Sequence, residues 1–195
     1  MARFVLIRPG FTDYDQQGRI QGTLDIPLND DGDAQIRQII EDVRGLGITA
    51  VYRAPSQSAE QTAAVIGAAL DVKIKEIDAL SNIDLGLWQG MLVEDVKHKQ
   101  PKVFRQWREQ PQTIRPPEGE TLASAKSRVE AALTKLAKKH KEGTVALVVP
   151  EPMASVVRSF LAQAEIGDFW KNGEFCGKWE VISPEPQAAV PGESR

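Results

Sequence analysis

A chain of 195 residues, 42% of them apolar, can bury a substantial core, which excludes a disordered or fibrous protein and favours one α/β domain with an inserted region over two full domains. Its formal net charge of −3 exerts no strong pull toward nucleic acid or an anionic membrane, so neither is expected as a partner. The lone cysteine, Cys176, forms no internal disulfide and gives no metal-ligand spacing, and no apolar run approaches ~20 residues. With no positive, apolar and small-residue leader pattern at the start, a soluble cytoplasmic protein is expected.

In chain order, Arg3 to Ile7 reads as a strand. Its continuous apolar run, Phe4 to Ile7, fits burial on both faces of a parallel sheet. Arg8 then places a cation at the strand's carboxyl end, where open α/β sheets bind ligands. A polar connector follows, and Asn29 can cap a helix in which Ile36, Ile39, Ile40 and Val43 keep helical spacing up to Gly45 and Gly47. Residues 48 to 53 form a second strand, joined to the first as a right-handed βαβ unit. Pro55 suits the first position of a helix whose stripe is Ala59, Ala63, Ile66 and Leu70, and a short strand follows near 72 to 77.

Residues 78 to 119 differ in texture, with Trp88, Phe104, Trp107 and the stretch Pro111 to Pro117, and read as an insertion that roofs a site. Thr121 caps a long helix bearing Ala125, Val129, Ala132, Leu133 and Leu136, closed by Gly143. The basic run Lys135 to Lys141 at its end complements the helix dipole. Thr144 to Val149 is a second fully buried strand. It ends in Pro150-Glu151-Pro152 before a helix carrying Met153, Val156, Val157, Phe160, Leu161 and Ala164. Trp179 to Ser183 suits an edge strand, and 184 to 195, rich in Pro, Gly, Ser and Glu, is expected to be a disordered tail. The domain therefore spans 1 to 183.

Several short motifs stand in a telling order. They are Arg8-Pro9-Gly10-Phe11-Thr12, then Arg19 to Gly22 with Asp25 to Asn29, then Tyr52 to Ala63 with Pro55, Ala59, Gln61, Thr62 and Ala63. Leu80 to Gly90, with Gly86 and Trp88, and Pro116 to Leu122, with Gly119 and Glu120, complete the set. Together they resemble the histidine phosphatase (phosphoglycerate mutase-like) superfamily over roughly residues 3 to 183. The resemblance implies a three-layer α/β sandwich with a mostly parallel central sheet and helices on both faces.

Active members of that family attack phosphorus with a neutral imidazole, hold the phosphoryl oxygens with two arginines and a second histidine, and protonate the leaving group with a carboxylic acid. Aligned motif by motif, the nucleophile position is Pro9, the second arginine Ser58, the acid Asn82 and the second histidine Glu151. Only Arg8 remains of that set. His98 and His140 lie in Lys-rich helical stretches and are expected on the surface.

The leading expectation is therefore a catalytically inactive member, not an enzyme, kept for a binding, scaffold or regulatory role. Its site is drawn from Arg8, Arg53, Thr12 and Glu151, with no cofactor or metal. Its partner is an unidentified protein or small molecule, and a homodimer is left open. Arg53 stands where it could return the charge lost at Ser58. The resemblance implies that the loops after the first and fourth strands lie side by side, where Glu151 offers Arg8 a bidentate partner, so an Arg8–Glu151 ion pair is expected. The alternative is a phosphatase or phosphoglycerate mutase-type enzyme using a rearranged or metal-assisted site, with Asp13, Asp84 and Glu151 as the carboxylates that could gather a hard cation.

Overall fold

A computed structural model describes residues 2–113, 115–166 and 172–183. Strand β1 (Arg3–Ile7) leads through a one-turn helix α1 (Asp13–Gln16) to α2 (Asp30–Val43). Strand β2 (Ile48–Arg53), helix α3 (Gln57–Leu70) and strand β3 (Lys73–Glu76) follow. Helices α4 (Val93–Lys99), α5 (Pro101–Glu109) and α6 (Leu122–Lys139) precede β4 (Thr144–Val148). Helices α7 (Met153–Ala162) and α8 (Asn172–Phe175) and strand β5 (Trp179–Ile182) complete the order.

The five strands form one mixed sheet in the order β3-β2-β4-β1-β5, parallel except for β5, which runs antiparallel to β1. Every residue of β4 is buried, and every residue of β1 after Arg3. Because successive strand side chains point to opposite faces, both faces are covered. Helix α2 packs against α3, and α6 against α7. The stripe Ile36, Ile39, Ile40 and Val43 of α2 lies in the core, each such side chain contributing about 1.5–3 kcal/mol by leaving water.

The sheet order puts β4 between β1 and β2, so the two strands that the sequence joins in one unit are not neighbours. This interposition makes the site. Ile7 faces Val148 in the register, and the Val149 amide donates to the Ile7 carbonyl, so Arg8 and Glu151 emerge at the same end of adjacent strands. Antiparallel β5 then brings Glu180 opposite Leu6, back to that end.

Local chemistry explains where the elements depart from expectation. Helix α3 begins at Gln57 and not at Pro55, because Ser56 caps it, its hydroxyl accepting from the Ala59 amide. Helix α6 stops at Lys139, four residues before Gly143, which carries φ of 88° just ahead of β4. Residues 78–119 contain α4 and α5, with Trp88 against Trp107 at 5.2 Å, and join the connector through Ile20 to Met91 and Arg19 to Leu92. No helix among the described residues is long and apolar enough to cross a membrane. The expected tail, 184 to 195, lies outside the described residues.

Candidate active site

Arg8 leaves β1 directly into a ring of anions. Its Nε donates to Glu151 Oε1 at 2.9 Å and its Nη1 to Glu180 Oε1 at 2.7 Å, while its guanidinium carbon stands 5.6 Å from the centre of the Phe175 ring. The Arg8 and Glu151 side chains are each 6% exposed, so the expected ion pair is present and buried. It is made by one bond and not the expected bidentate two, because Nη1 turns to Glu180 and Oε2 to Ser155. Glu151 is held from its other oxygen as well: Oε2 accepts from the Ser155 amide at 3.1 Å and the Ser155 hydroxyl at 2.8 Å, at the start of α7. Glu180 is shared with Arg158, whose Nε donates to its second oxygen at 3.0 Å. Each of these charges has a charge-assisted partner, which buried ions require.

Asn82 binds the same loop through its backbone. Its amide donates to the Glu151 carbonyl at 2.8 Å, and its Oδ1 accepts from the Met153 and Ile83 amides at 3.2 and 3.0 Å. Pro9, Ser58 and Glu151 line one small cavity of about 20 Å³, together with Thr12, Asp15, Gln21 and Cys176, and that volume holds about one water. Three of these side chains, Thr12, Asp15 and Gln21, are tied to one another. The Thr12 hydroxyl donates to Asp15 Oδ2 at 2.8 Å and accepts from the Asp15 amide and from Gln21 Nε2, the latter at 2.6 Å. Burial, with the Asp15 carboxylate beside it, pushes the Cys176 thiol well above its ordinary value and keeps it protonated.

Other candidate residues fall elsewhere. Arg53 turns to Glu76 at 2.7 Å, Glu60 at 3.5 Å and the Ala54 carbonyl at 3.0 Å, so its charge is used at the β2–β3 edge and not beside Arg8. Asp13, Asp84 and Glu151 do not converge: Asp13 accepts from Asn29, Asp84 from the Gly86 amide, and Glu151 is held by Arg8 and Ser155. Among the described residues no three His, Cys, Asp or Glu side chains gather as a metal site. His98 is exposed, but His140 is half-buried, its Nε2 2.8 Å from the Tyr52 hydroxyl.

Glu180, Asp15, Gln21 and Cys176 were not expected in the site. Asp15 had a readable signal, because Thr12-x-x-Asp15 is a capping box, with both reciprocal bonds present at α1. Glu180 had none, since its role depends on β5 pairing with β1 from more than 170 residues away.

The protein named phosphoserine phosphatase 1 of Hydrogenobacter thermophilus is 30% identical to this chain over 190 residues, covering 97% of this chain and 90% of that one. A probable phosphoglycerate mutase GpmB of Enterobacter sp. is 31% identical over 154 residues, 79% of this chain and 71% of its own. A mycobacterial glucosyl-3-phosphoglycerate phosphatase solved with VO3 superposes with a TM-score of 0.83 at 22% identity, covering 94% and 91% of the two chains, which shows the common fold. The phosphatase named among these whole-length relatives overturns the expectation of a catalytically inactive domain that is not an enzyme. The inference from Pro9, Ser58, Asn82 and Glu151 was too broad, because a motif-by-motif reading of four positions does not by itself show that a catalytic site is lost. The family model for the histidine phosphatase superfamily (branch 1) matches residues 4–188, and the chain belongs to that superfamily.

Proposed function

We propose that the protein hydrolyses phosphate monoesters through a rearranged site built on Arg8, Glu151, Asp15 and Thr12. The observation that carries this reading is the 30% identity, over 97% of the chain, with a relative named as a phosphoserine phosphatase. Arg8 sits at the carboxyl end of β1, where a phosphoryl group would be held, and Glu151 and Asp15 supply carboxylates in reach of the same cavity. Both histidines lie outside that cavity. Water is therefore the nucleophile in this reading: Glu151 released from Arg8 accepts its proton, the phosphoryl oxygens take the place on the guanidinium, and the ester P–O bond breaks. The leaving oxygen is protonated by solvent.

Phosphate release from phosphoserine and from an aryl phosphate tests this directly. The wild type is expected to turn both over, and Arg8→Met and Glu151→Gln are each expected to lose on the order of 100-fold or more in kcat/KM. No release above the enzyme-free rate, or release that survives both substitutions, would reject the reading.

A further inference from the structure

Away from the cavity beside Pro9 and Glu151, a groove of about 370 Å³ runs between α6 and the segment that follows β3, a volume in the range of small-ligand sites. Its floor is apolar, formed by Ile77, Ala131, Ala132 and Leu136. Arg128 closes one end with its charge already satisfied, since it meets Glu120 at 2.6 Å and donates to the carbonyls of Ala79, Ser81 and Asn82. Lys135 and Lys139 line the groove one helical turn apart on α6, and Lys75 of β3 lies close enough to act on both Lys139 and His140.

The ammonium groups of Lys75, Lys135 and Lys139 have no carboxylate at ion-pair distance among the described residues, whereas Arg8, Arg53, Arg128 and Arg158 all do. Like charges at this helical spacing destabilise a helix, so an anion placed between them would relieve a standing repulsion. Lys139 is also held in place: its Nζ donates to the Tyr52 hydroxyl at 3.1 Å and stands 5.5 Å from the Tyr52 ring centre. Tyr52, 3% exposed, is anchored in β2, and its hydroxyl meets His140 Nε2 at 2.8 Å. Burial and the charges of Lys139 and Lys75 push His140 down, so it stays neutral and accepts from Tyr52 while Tyr52 accepts from Lys139. Dipole complementation at the helix end accounts for Lys138 and Lys139 in the last turn, but not for Lys75.

We propose that this groove binds a small amphipathic anion, with its carboxylate or phosphate head between Lys135 and Lys139 and its apolar body on Ile77, Ala132 and Leu136. Calorimetric titration of the full chain with octanoate, octyl phosphate and octylammonium tests it. Binding of one or both anions, with none of the ammonium, is expected, and a preference between the two anions identifies the head group. Lys135→Glu, at an exposed position, should weaken anion binding at least about 10-fold without lowering the melting temperature, since it replaces a like-charge pair on α6 with an opposite-charge one, and Ala132→Phe should weaken binding similarly by filling the floor. No binding of either anion at millimolar concentration, equal binding of octylammonium, or an affinity indifferent to Lys135→Glu would overturn the proposal.

Discussion

At Arg8 the guanidinium is engaged by Glu151 and Glu180, and stability and the proposed chemistry meet in one side chain. Removing it would leave a carboxylate, Glu151, nearly excluded from water and deprived of its cation. Desolvating an unpaired charge costs more than a neutral substitution returns, so Arg8→Met is expected to lower the unfolding free energy by about 3–5 kcal/mol, read from denaturant midpoints. A loss under about 1 kcal/mol would show that Glu151 relaxes into solvent and that the pair is not a buried one in solution. The Arg8–Glu151 contact was legible because each residue follows an unmistakable buried strand and the family resemblance implied that the loops after those two strands lie side by side. The placement of Arg53 was not legible, because its partners Glu60 and Glu76 are ordinary surface carboxylates until β3 pairs with β2.

The loop after β1 reaches α2 through a contact between two glycines. A Cβ on Gly10 would stand 2.4 Å from the Gly32 carbonyl oxygen, and a Cβ on Gly32 would stand 2.3 Å from the Phe11 carbonyl oxygen. Backbone leaves no flexible end to yield, so Gly10→Ala must push the loop and the first turn of α2 apart. About 1–3 kcal/mol of destabilisation is expected, with a fall in turnover because Pro9 and Thr12 of that loop line the cavity. Unchanged stability and turnover would mean that the loop is free to shift. The carboxyl end of α6 sets a pH dependence. His140 is pushed below its ordinary 6.5, by burial first and by Lys139 and Lys75 after it. The unfolded chain therefore binds the proton more readily, and the stability this neutral imidazole contributes is present above about pH 6.5 and lost as pH falls through the folded value. Urea midpoints at pH 7.5 and 5.5 should fall less in His140→Asn than in the wild type, and equal falls would count against the Tyr52–His140 bond. Long periodic elements such as α2 and α6 were readable, since their apolar spacing alone specifies a buried face. The one-turn helix α1 was missed because a single turn has no period to read, and only its capping box announces it.

Across the whole molecule the site is a clasp on the sheet. Glu151 after β4 and Glu180 on β5 converge on Arg8 after β1, so three strands distant in sequence are tied at one point. In the proposed reading Glu151 occupies the place where a phosphoryl group would meet Arg8, so a bound phosphate would first compete with a tethered carboxylate. That competition should be visible in global stability, because a ligand that binds only the folded state stabilises all of it. The gain is about 2.7 kcal/mol at a hundredfold excess over Kd, or roughly 5–10 °C in Tm for a domain of this length. With Glu151→Gln the competing charge is gone, and the neutral amide can still accept from Ser155. Inorganic phosphate or vanadate should therefore raise the Tm of Glu151→Gln by several degrees more than it raises that of the wild type, at equal ligand concentration. The same variant should be slower in turnover, since it lacks the proton acceptor. Tighter binding and slower chemistry from one substitution separate a carboxylate that both guards and serves the site from one that only packs there. Equal thermal shifts in the two proteins would show that phosphate reaches Arg8 without displacing Glu151, or does not reach it.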